Sequence, residues 1–322
     1  MKLIHEGKVK KVFQDTQSKN QVVIEFTDDV TAGNGKKKGT ISGKGVLSCD
    51  LSEFFLKYLA KKGIQTHFIR RLESTQMRCK KVEILPLEVV VRNVAAGSFC
   101  KRYGIKKGTK LSSPLVEFFL KEDSLHDPLI TEEAAIRLEL ALESDMAFMK
   151  AIALSVNHYL AELFSQVNLT LVDFKLEFGK TEDGAILLAD EISGDTIRVW
   201  NKKGESYDKD LFREGEGDIA KAYAFLLKKL NTTKPENVTK RDEMMYVSVM
   251  PKDGIKNPPG EVTKKALIRL GLSEASEVRM GKIFEIHLSQ PITSDILKQL
   301  TLMNLKLLSN PIAEKHRVRM EM

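Results

Sequence analysis

Between residues 171 and 179 the chain reads Leu-Val-Asp-Phe-Lys-Leu-Glu-Phe-Gly, with apolar and polar residues alternating from Val172 to Phe178. A period of two marks a β-strand, so Val172, Phe174, Leu176 and Phe178 take one face and Asp173, Lys175 and Glu177 the other. This strand, predicted over Leu169–Phe178, precedes another over Ala185–Ile192, with Asp183-Gly184 between them as a hairpin signal. Val82–Arg92 also reads as strand, interrupted by Pro86, with Glu88, Val90 and Arg92 on one face and Val89 and Val91 on the other. Near the start, Gln21–Phe26 is β-rich, while Asp28-Asp29 and Gly33-Asn34-Gly35 mark turns. Two stretches carry the helical period instead. Ser48–Lys62 aligns Leu51, Phe54, Phe55, Tyr58 and Leu59, with Asp50 and Glu53 resembling a capping box and Gly63 a stop. Ser144–Val167 aligns Met149, Ile152, Val156, Leu160, Leu163 and Phe164.

The pattern breaks at Asn231–Glu243, which is polar, holds one proline and has no apolar period. Such a segment reads as a linker. It divides the chain into a domain at 1–232, a linker at 233–243 and a second domain at 244–322. The second part predicts a strand at Met245–Met250, a helix at Gly260–Leu270 and two short strands about Gly281-Lys282. A helix at Ser294–Leu307 and a strand at His316–Met320 follow. The order βαββαβ is that of a small ferredoxin-like α+β unit.

Composition narrows the class. The 322 residues are 42% apolar, enough for a real core, and no apolar run approaches the roughly 20 residues of a membrane helix. The opening MKLIHEGKVKK has no signal-peptide core, so an untargeted cytoplasmic protein is expected. Three cysteines without a Cys-x-x-Cys pair argue against a disulfide framework, and six scattered histidines argue against zinc. The net charge of +7 fits nucleic acid or a multiply phosphorylated substrate. The densest basic run, Lys36-Lys37-Lys38 with Lys44 close behind, has no interleaved aromatics to stack on bases. No helix-turn-helix or RNP signature is present, so no nucleic-acid partner is expected.

The polar strand face is the leading chemical candidate. A hairpin brings Asp190-Glu191 toward Asp173, Lys175 and Glu177, and gathered carboxylates repel unless a cation compensates them. Glu177 and Asp190 are then candidate Mg2+ ligands, since magnesium takes one or two carboxylates plus phosphate oxygens. The alternative is a solvated face with an ordinary Lys–Asp pair. Gly7-Lys8-Val9-Lys10 lies in a turn that suits phosphate, although it lacks Walker A spacing and also reads as a charged surface hairpin. Arg92 ends its strand before Ala95-Ala96-Gly97-Ser98, where it either clamps an anion with Ser98 or pairs with Glu88. Asp195, Arg198 and Asp208-Lys209-Asp210 form a further mixed-charge group. His67 reads as structural.

Taken in order, EGKVKKVF, TDDVTAGNG, GKGVLS, KGIQTHF, PLEVVVRNVAAGSFCKRYG, FLKEDSLHDP, LVDFKLEFG, LADEISGDTIRVW and DKDLFR resemble the SAICAR synthetase (phosphoribosylaminoimidazole-succinocarboxamide synthase) family over about residues 5–230. The resemblance implies an α/β, two-lobed ATP-binding fold. It also implies ATP-dependent joining of the imidazole nucleotide CAIR to L-aspartate in purine biosynthesis, through an acyl phosphate. Carried over, Gly7, Lys8 and Lys10 hold the ATP phosphates, the backbone at Val82–Ile84 meets adenine and Lys121 lies near the nucleotide. Glu177 and Asp190 bind Mg2+. Glu88, Arg92, Ser98, Asp173, Lys175, Asp195, Arg198 and Lys209 surround CAIR and aspartate, with Lys175, Arg92 and Asp173 as the catalytic set. Lys175 is best placed to stabilise the transferring phosphoryl group, and no covalent nucleophile is implied. One departure stands out: Ser193-Gly194-Asp195 replaces the family's Ser-Pro-Asp, which predicts a looser loop.

Residues 244–322 resemble the PurS-type subunit of phosphoribosylformylglycinamidine synthase through VMPKDGIKNPPG, KKALIRLGL, VRMGKIFEI and LLSNPIAE. Here Asn257-Pro258-Pro259-Gly260 replaces the usual Asp-Pro-Gln-Gly, and Pro259 suits a first helical turn. The resemblance implies assembly, as a homo-oligomer and with the synthase's large and glutaminase subunits. The competing reading is a kinase-like phosphotransferase with a C-terminal oligomerisation module, against which stands the lack of His-Arg-Asp and Asp-Phe-Gly triplets.

Overall fold

The computed structural model describes residues 1–32, 37–214, 217–233, 243–289 and 292–321. The turn expected at Gly33-Asn34-Gly35 and the interior of the 233–243 linker lie outside the described residues. The chain forms two compact units, Met1–Val238 and Thr239–Met322.

The first unit opens with β1 (Lys2–Glu6), β2 (Lys10–Gln14), β3 (Gln21–Phe26), the small hairpin β4 (Asp29–Ala32) and β5 (Lys37–Thr40), and α1 (Lys44–Lys61). Next come β6 (Phe68–Glu73), β7 (Gln76–Lys80), β8 (Glu83–Val94), α2 (Gly97–Tyr103), β9 (Lys110–Leu120), β10 (Leu129–Ile130) and α3 (Glu132–Arg137). It closes with α4 (Glu143–Ser165), β11 (Leu169–Lys180), β12 (Ile186–Ala189), β13 (Ile197–Asn201), α5 (Asp210–Glu214) and α6 (Ile219–Leu230). One sheet runs β1-β2-β3-β7-β6; the other runs β10-β9-β8-β11-β12, with β13 also pairing with β11. The sheets meet where His67 N–H donates to Leu188 O at 2.9 Å and Leu188 N–H donates to Gln65 O at 3.0 Å.

Strand β11 is central to the second sheet. Its apolar face, Val172, Phe174, Leu176 and Phe178, is at most 1% exposed, and α4 crosses β11, β8 and β9. The helical stripe of α4 is buried as well. Each such side chain contributes about 1.5–3 kcal/mol by leaving water.

Helix α1 begins at Lys44 rather than Ser48, because its cap comes from outside the local sequence. Gly43 sits in the left-handed region at φ 79°, and Asp28 accepts from the N–H groups of Gly43 at 3.2 Å and Gly45 at 2.9 Å. The Asp50–Glu53 capping box therefore does not exist. Both carboxylates instead accept from Arg71, at 2.8 and 3.3 Å.

In the second unit, β14 (Glu243–Pro251) lies between β15 (Lys282–Leu288) and β16 (Glu314–Glu321), all antiparallel, with α7 (Pro258–Arg269) and α8 (Ser294–Met303). Asn257 caps α7 and prolines occupy its first two positions. The order is βαβαβ, still α+β, and the strand expected before Gly281 is absent among the described residues. Side chains have taken its backbone partners: Asn257 Nδ2 donates to Met280 O at 2.9 Å, and Met280 N–H donates to Asn257 Oδ1 at 3.2 Å. No described helix is long and apolar enough to cross a membrane.

Replacing Phe174 by alanine is expected to destabilise the first unit by about 3–5 kcal/mol through lost burial and a residual cavity. Urea denaturation followed by fluorescence of Trp200 measures this.

Candidate active site

The polar face of β11 is buried, not solvated: Asp173 is 5% exposed and Glu177 3%. Strand register explains how it survives. Asp173 lies opposite Arg92 of β8, an attractive pair, but Glu177 lies opposite Glu88. Like charges directly opposite are destabilising. Lys175 Nζ resolves this by donating to Glu88 at 2.7 Å and to Glu177 at 2.8 Å. Lys121, just past β9, also donates to Glu177. From the other sheet, Lys10 of β2 pairs with Asp190 and Glu191. Burial alone would raise the pKa of Glu177, but Lys175, Lys121 and Lys10 outweigh it and hold the carboxyl well below its ordinary range. Burial works against the charge of Lys175 in the same way, yet Glu177, Glu88 and Asp190 keep it protonated.

A second network adjoins the first along β11. Arg92 donates to Glu117 at 2.6 Å and to Asp173 at 3.0 Å, so the alternative pairing of Arg92 with Glu88 is overturned. Arg102 also reaches Glu117, at 2.5 Å. Arg198 of β13 joins Asp173 to Asp210, and Arg213 adds a further bond to Asp210. Burial would raise Asp210, but the Arg198 bond dominates and pushes it down to about 2. Burial and the Asp210 charge push Asp208 up to about 6.

The loop after β12 completes the arrangement. Asp190 adopts φ 61°, a left-handed conformation uncommon for a residue with a side chain. Fully buried His67 contacts Asp190 O through Nε2 at 3.1 Å and braces that turn. Hydrogen bonds and ion pairs hold the loop around Gly194. Ser193 N–H donates to Thr196 Oγ1 at 3.0 Å, Asp195 N–H donates to Ser193 Oγ at 3.2 Å, and the Asp195 carboxylate meets Lys44 at 2.5 Å and Lys209 at 3.4 Å.

Other expected positions lie at more open sites. Gly7–Val9 forms the turn between β1 and β2, closed by Gly7 N–H to Lys10 O at 2.9 Å, and exposed Lys8 pairs with Asp123 at 2.6 Å. Val82 packs on Gly179, where a Cβ would come within 2.5 Å of it. Ile84 is 38% exposed at the start of β8. Ser98 is exposed in the first turn of α2, beside Gly97, against whose Cα face Arg198 packs.

Sequence reasoning missed Lys44, Arg102, Glu117 and Tyr223, and it gave Glu191 and Asp210 no role. Lys44 looked like one more lysine of a surface run, yet it is fully buried. Only the Asp190-Glu191 doublet and the Asp208-Lys209-Asp210 run carried a local signal.

Residues 3–230 match the SAICAR synthetase family model, and residues 244–322 match the model described as PurS, phosphoribosylformylglycinamidine (FGAM) synthase. A phosphoribosylaminoimidazole-succinocarboxamide synthase of Staphylococcus aureus is 48% identical over 235 residues, 73% of this chain and all of the relative. The crystal structure of the synthase of that name from Ehrlichia chaffeensis is 41% identical, with a TM-score of 0.70 over 72% of this chain and 100% of that one. A SAICAR synthetase in complex with ADP is 43% identical, with a TM-score of 0.68 over 72% and 98%.

The buried imidazole makes a pH prediction. Burial lowers the pKa of His67 from 6.5 to about 4. Above pH 6.5 both the folded and unfolded states are neutral there. As pH falls toward 4 the unfolded state binds the proton first, so stability declines by roughly 3 kcal/mol from this residue. Denaturation midpoints across that window are expected to slope less in His67→Gln than in the wild type.

Proposed function

The chain belongs to the SAICAR synthetase family, and we propose that it forms an amide between the carboxylate of CAIR and the amine of L-aspartate at the expense of ATP, in the cytosol. Its activity is that of a ligase of purine biosynthesis. The observation that carries the finer reading is the lysine-bridged carboxylate cluster on β11, with Lys175 between Glu88 and Glu177 and Lys121 and Lys10 beside them.

A carboxylate is a poor electrophile. In this reading its oxygen attacks the γ-phosphate, ADP leaves, and the resulting acyl phosphate has phosphate as leaving group for the attacking amine. Lys175 stabilises charge on the phosphoryl group in flight. Gly7, Lys8 and Lys10 receive the ATP phosphates at the β1–β2 turn, the Val82–Ile84 backbone meets adenine between the two sheets, and Lys121 turns from Glu177 to the nucleotide. Arg92, Asp173 and Arg198 form a braced wall beside CAIR and aspartate, while Glu88, Ser98, Asp195 and Lys209 line the remaining substrate surface.

Mg2+ fits the donor set. Glu177 on β11 and Asp190 just past β12 are hard oxygen donors, and in the cluster they share, three lysines face Glu88, Glu177, Asp190 and Glu191. Among the described residues no group of three or more His, Cys, Asp or Glu side chains converges for a metal. Two carboxylates with phosphate and water is the arrangement magnesium prefers. Bound there, it would supply charge neutralisation for the phosphates.

For residues 244–322 we infer an assembly role, with itself and with the large and glutaminase subunits of a formylglycinamidine ribonucleotide synthase. The PurS match and the exposed Ile283, Leu307 and Ile312 support it. Domains at 1–232 and 244–322, joined by 233–243, are supported by family matches that stop at 230 and resume at 244.

The test is product formation with ATP, Mg2+, CAIR and aspartate, omitting each in turn; turnover without aspartate or without ATP would sink the reading. Lys175→Arg keeps the charge but not the point geometry, so a folded variant with kcat reduced about 100-fold or more is expected. Normal turnover there removes Lys175 from the mechanism. A chain ending at residue 232 is expected to keep ligase activity within about 2-fold, as an independent domain would.

A further inference from the structure

Gly194 has no space for a side chain. A Cβ built on it would lie 2.1 Å from Cε1 and 2.2 Å from Cζ of Tyr223. The obstacle is a rigid ring on α6, itself fully buried, so neither partner can yield. This close approach brings the tyrosine to the neighbouring residue, Asp195. That carboxylate is held at Oδ2 by Lys44 at 2.5 Å, and Lys209 stands 3.4 Å from Oδ1. Within the described residues neither the Tyr223 hydroxyl nor Asp195 Oδ1 makes a well-aligned hydrogen bond, yet the hydroxyl stands close enough to Asp195 to interact with its carboxylate. Burial raises the phenol well above its ordinary pKa, and the Asp195 and Asp208 charges act in the same direction. The hydroxyl therefore keeps its proton beside a carboxylate oxygen that only the more distant Lys209 otherwise faces.

We propose that Tyr223 is a positioning residue for Asp195: its hydroxyl fixes the carboxylate oxygen that Lys44 leaves free, and Gly194 is the clearance its ring requires. The proposal rests on the reading of Asp195 as a substrate contact. Three groups then converge on one carboxylate: Lys44 from the start of α1, Lys209 from just before α5, and Tyr223 from α6. A carboxylate ordered before substrate arrives loses less rotamer freedom on binding. The residue moves no proton and touches no reacting atom.

The experiment is steady-state kinetics of the full chain and Tyr223→Phe, with each of the three substrates varied. A bond to a charged group is lost, so the KM for CAIR or aspartate is expected to rise about 10-fold. The KM for ATP and kcat should stay within about 2-fold, since the nucleotide cluster is separate. Unchanged KM values for all three substrates, with or without a lower melting temperature, overturn the proposal. If Tyr223→Phe folds poorly, Gly194→Ala combined with Tyr223→Leu removes the collision and the hydroxyl together. Raised KM for CAIR or aspartate in that folded double variant supports positioning, and wild-type values overturn it. Wild-type protein that makes no product would remove the ligase reading instead. The carbon-13 signal of the Asp195 carboxyl, compared between wild type and Tyr223→Phe, then decides: a shift supports positioning and an unmoved signal overturns it.

Discussion

Strand β11 carries charge into the interior, and much of the surrounding structure follows from the need to neutralise it. Removing a charge from water costs several kcal/mol unless a partner is held in good geometry. Asp173, Lys175 and Glu177 alternate along one strand, so partners must arrive from both sides and from beyond. Strand β8 brings Arg92 and Glu88 in antiparallel register. The end of β9 brings Lys121, β13 brings Arg198, and β2 of the other sheet brings Lys10 to Asp190. The opposite face of the same strand is fully apolar and packs under α4. Its transfer from water offsets what the charged face costs.

The two halves of this network differ in kind. At one end Arg92 and Asp173 are closed off, with side chains 5% and 7% exposed. Groups so enclosed and so fully bonded are a frame. At the other end the side chains of Lys175 and Lys121 are 29% and 40% exposed, although their shared partner Glu177 is 3% exposed. Lysine is a flexible point charge, whereas arginine is a planar fork. The lysines can therefore exchange a carboxylate for a phosphate oxygen while the arginines keep the strand in place. That division is the reason for assigning the proposed phosphoryl transfer to the lysine end.

What the sequence revealed was periodic and local. The alternation at 172–178 and the stripe at 149–164 appear where expected, since period alone decides both. The Gly184 turn and the Gly63 stop are likewise local, and both adopt positive φ. What it concealed was long-range. The cap of α1 comes from Asp28, so local rules began the helix four residues late. Lys44 is buried only because a loop about 150 residues onward delivers Asp195 to it. Glu117 has no local pattern and gains meaning only from Arg92 and Arg102. The extra strand before Gly281 failed because side chains satisfied the backbone that a ladder would have used.

The Gly194 loop shows why such misses gather at sites. Read locally, a glycine enlarges the unfolded ensemble and predicts looseness. That rule concerns the freedom lost on folding; it does not say what fills the space a side chain vacates. Here an aromatic ring from α6 fills it, and the loop is packed against that helix, with Tyr223 buried and the Asp195 side chain 4% exposed. Charge brought into an interior must be fixed by several elements at once. The residues that allow those elements to approach are then small ones, whose reason lies in the partner and not in their own conformation.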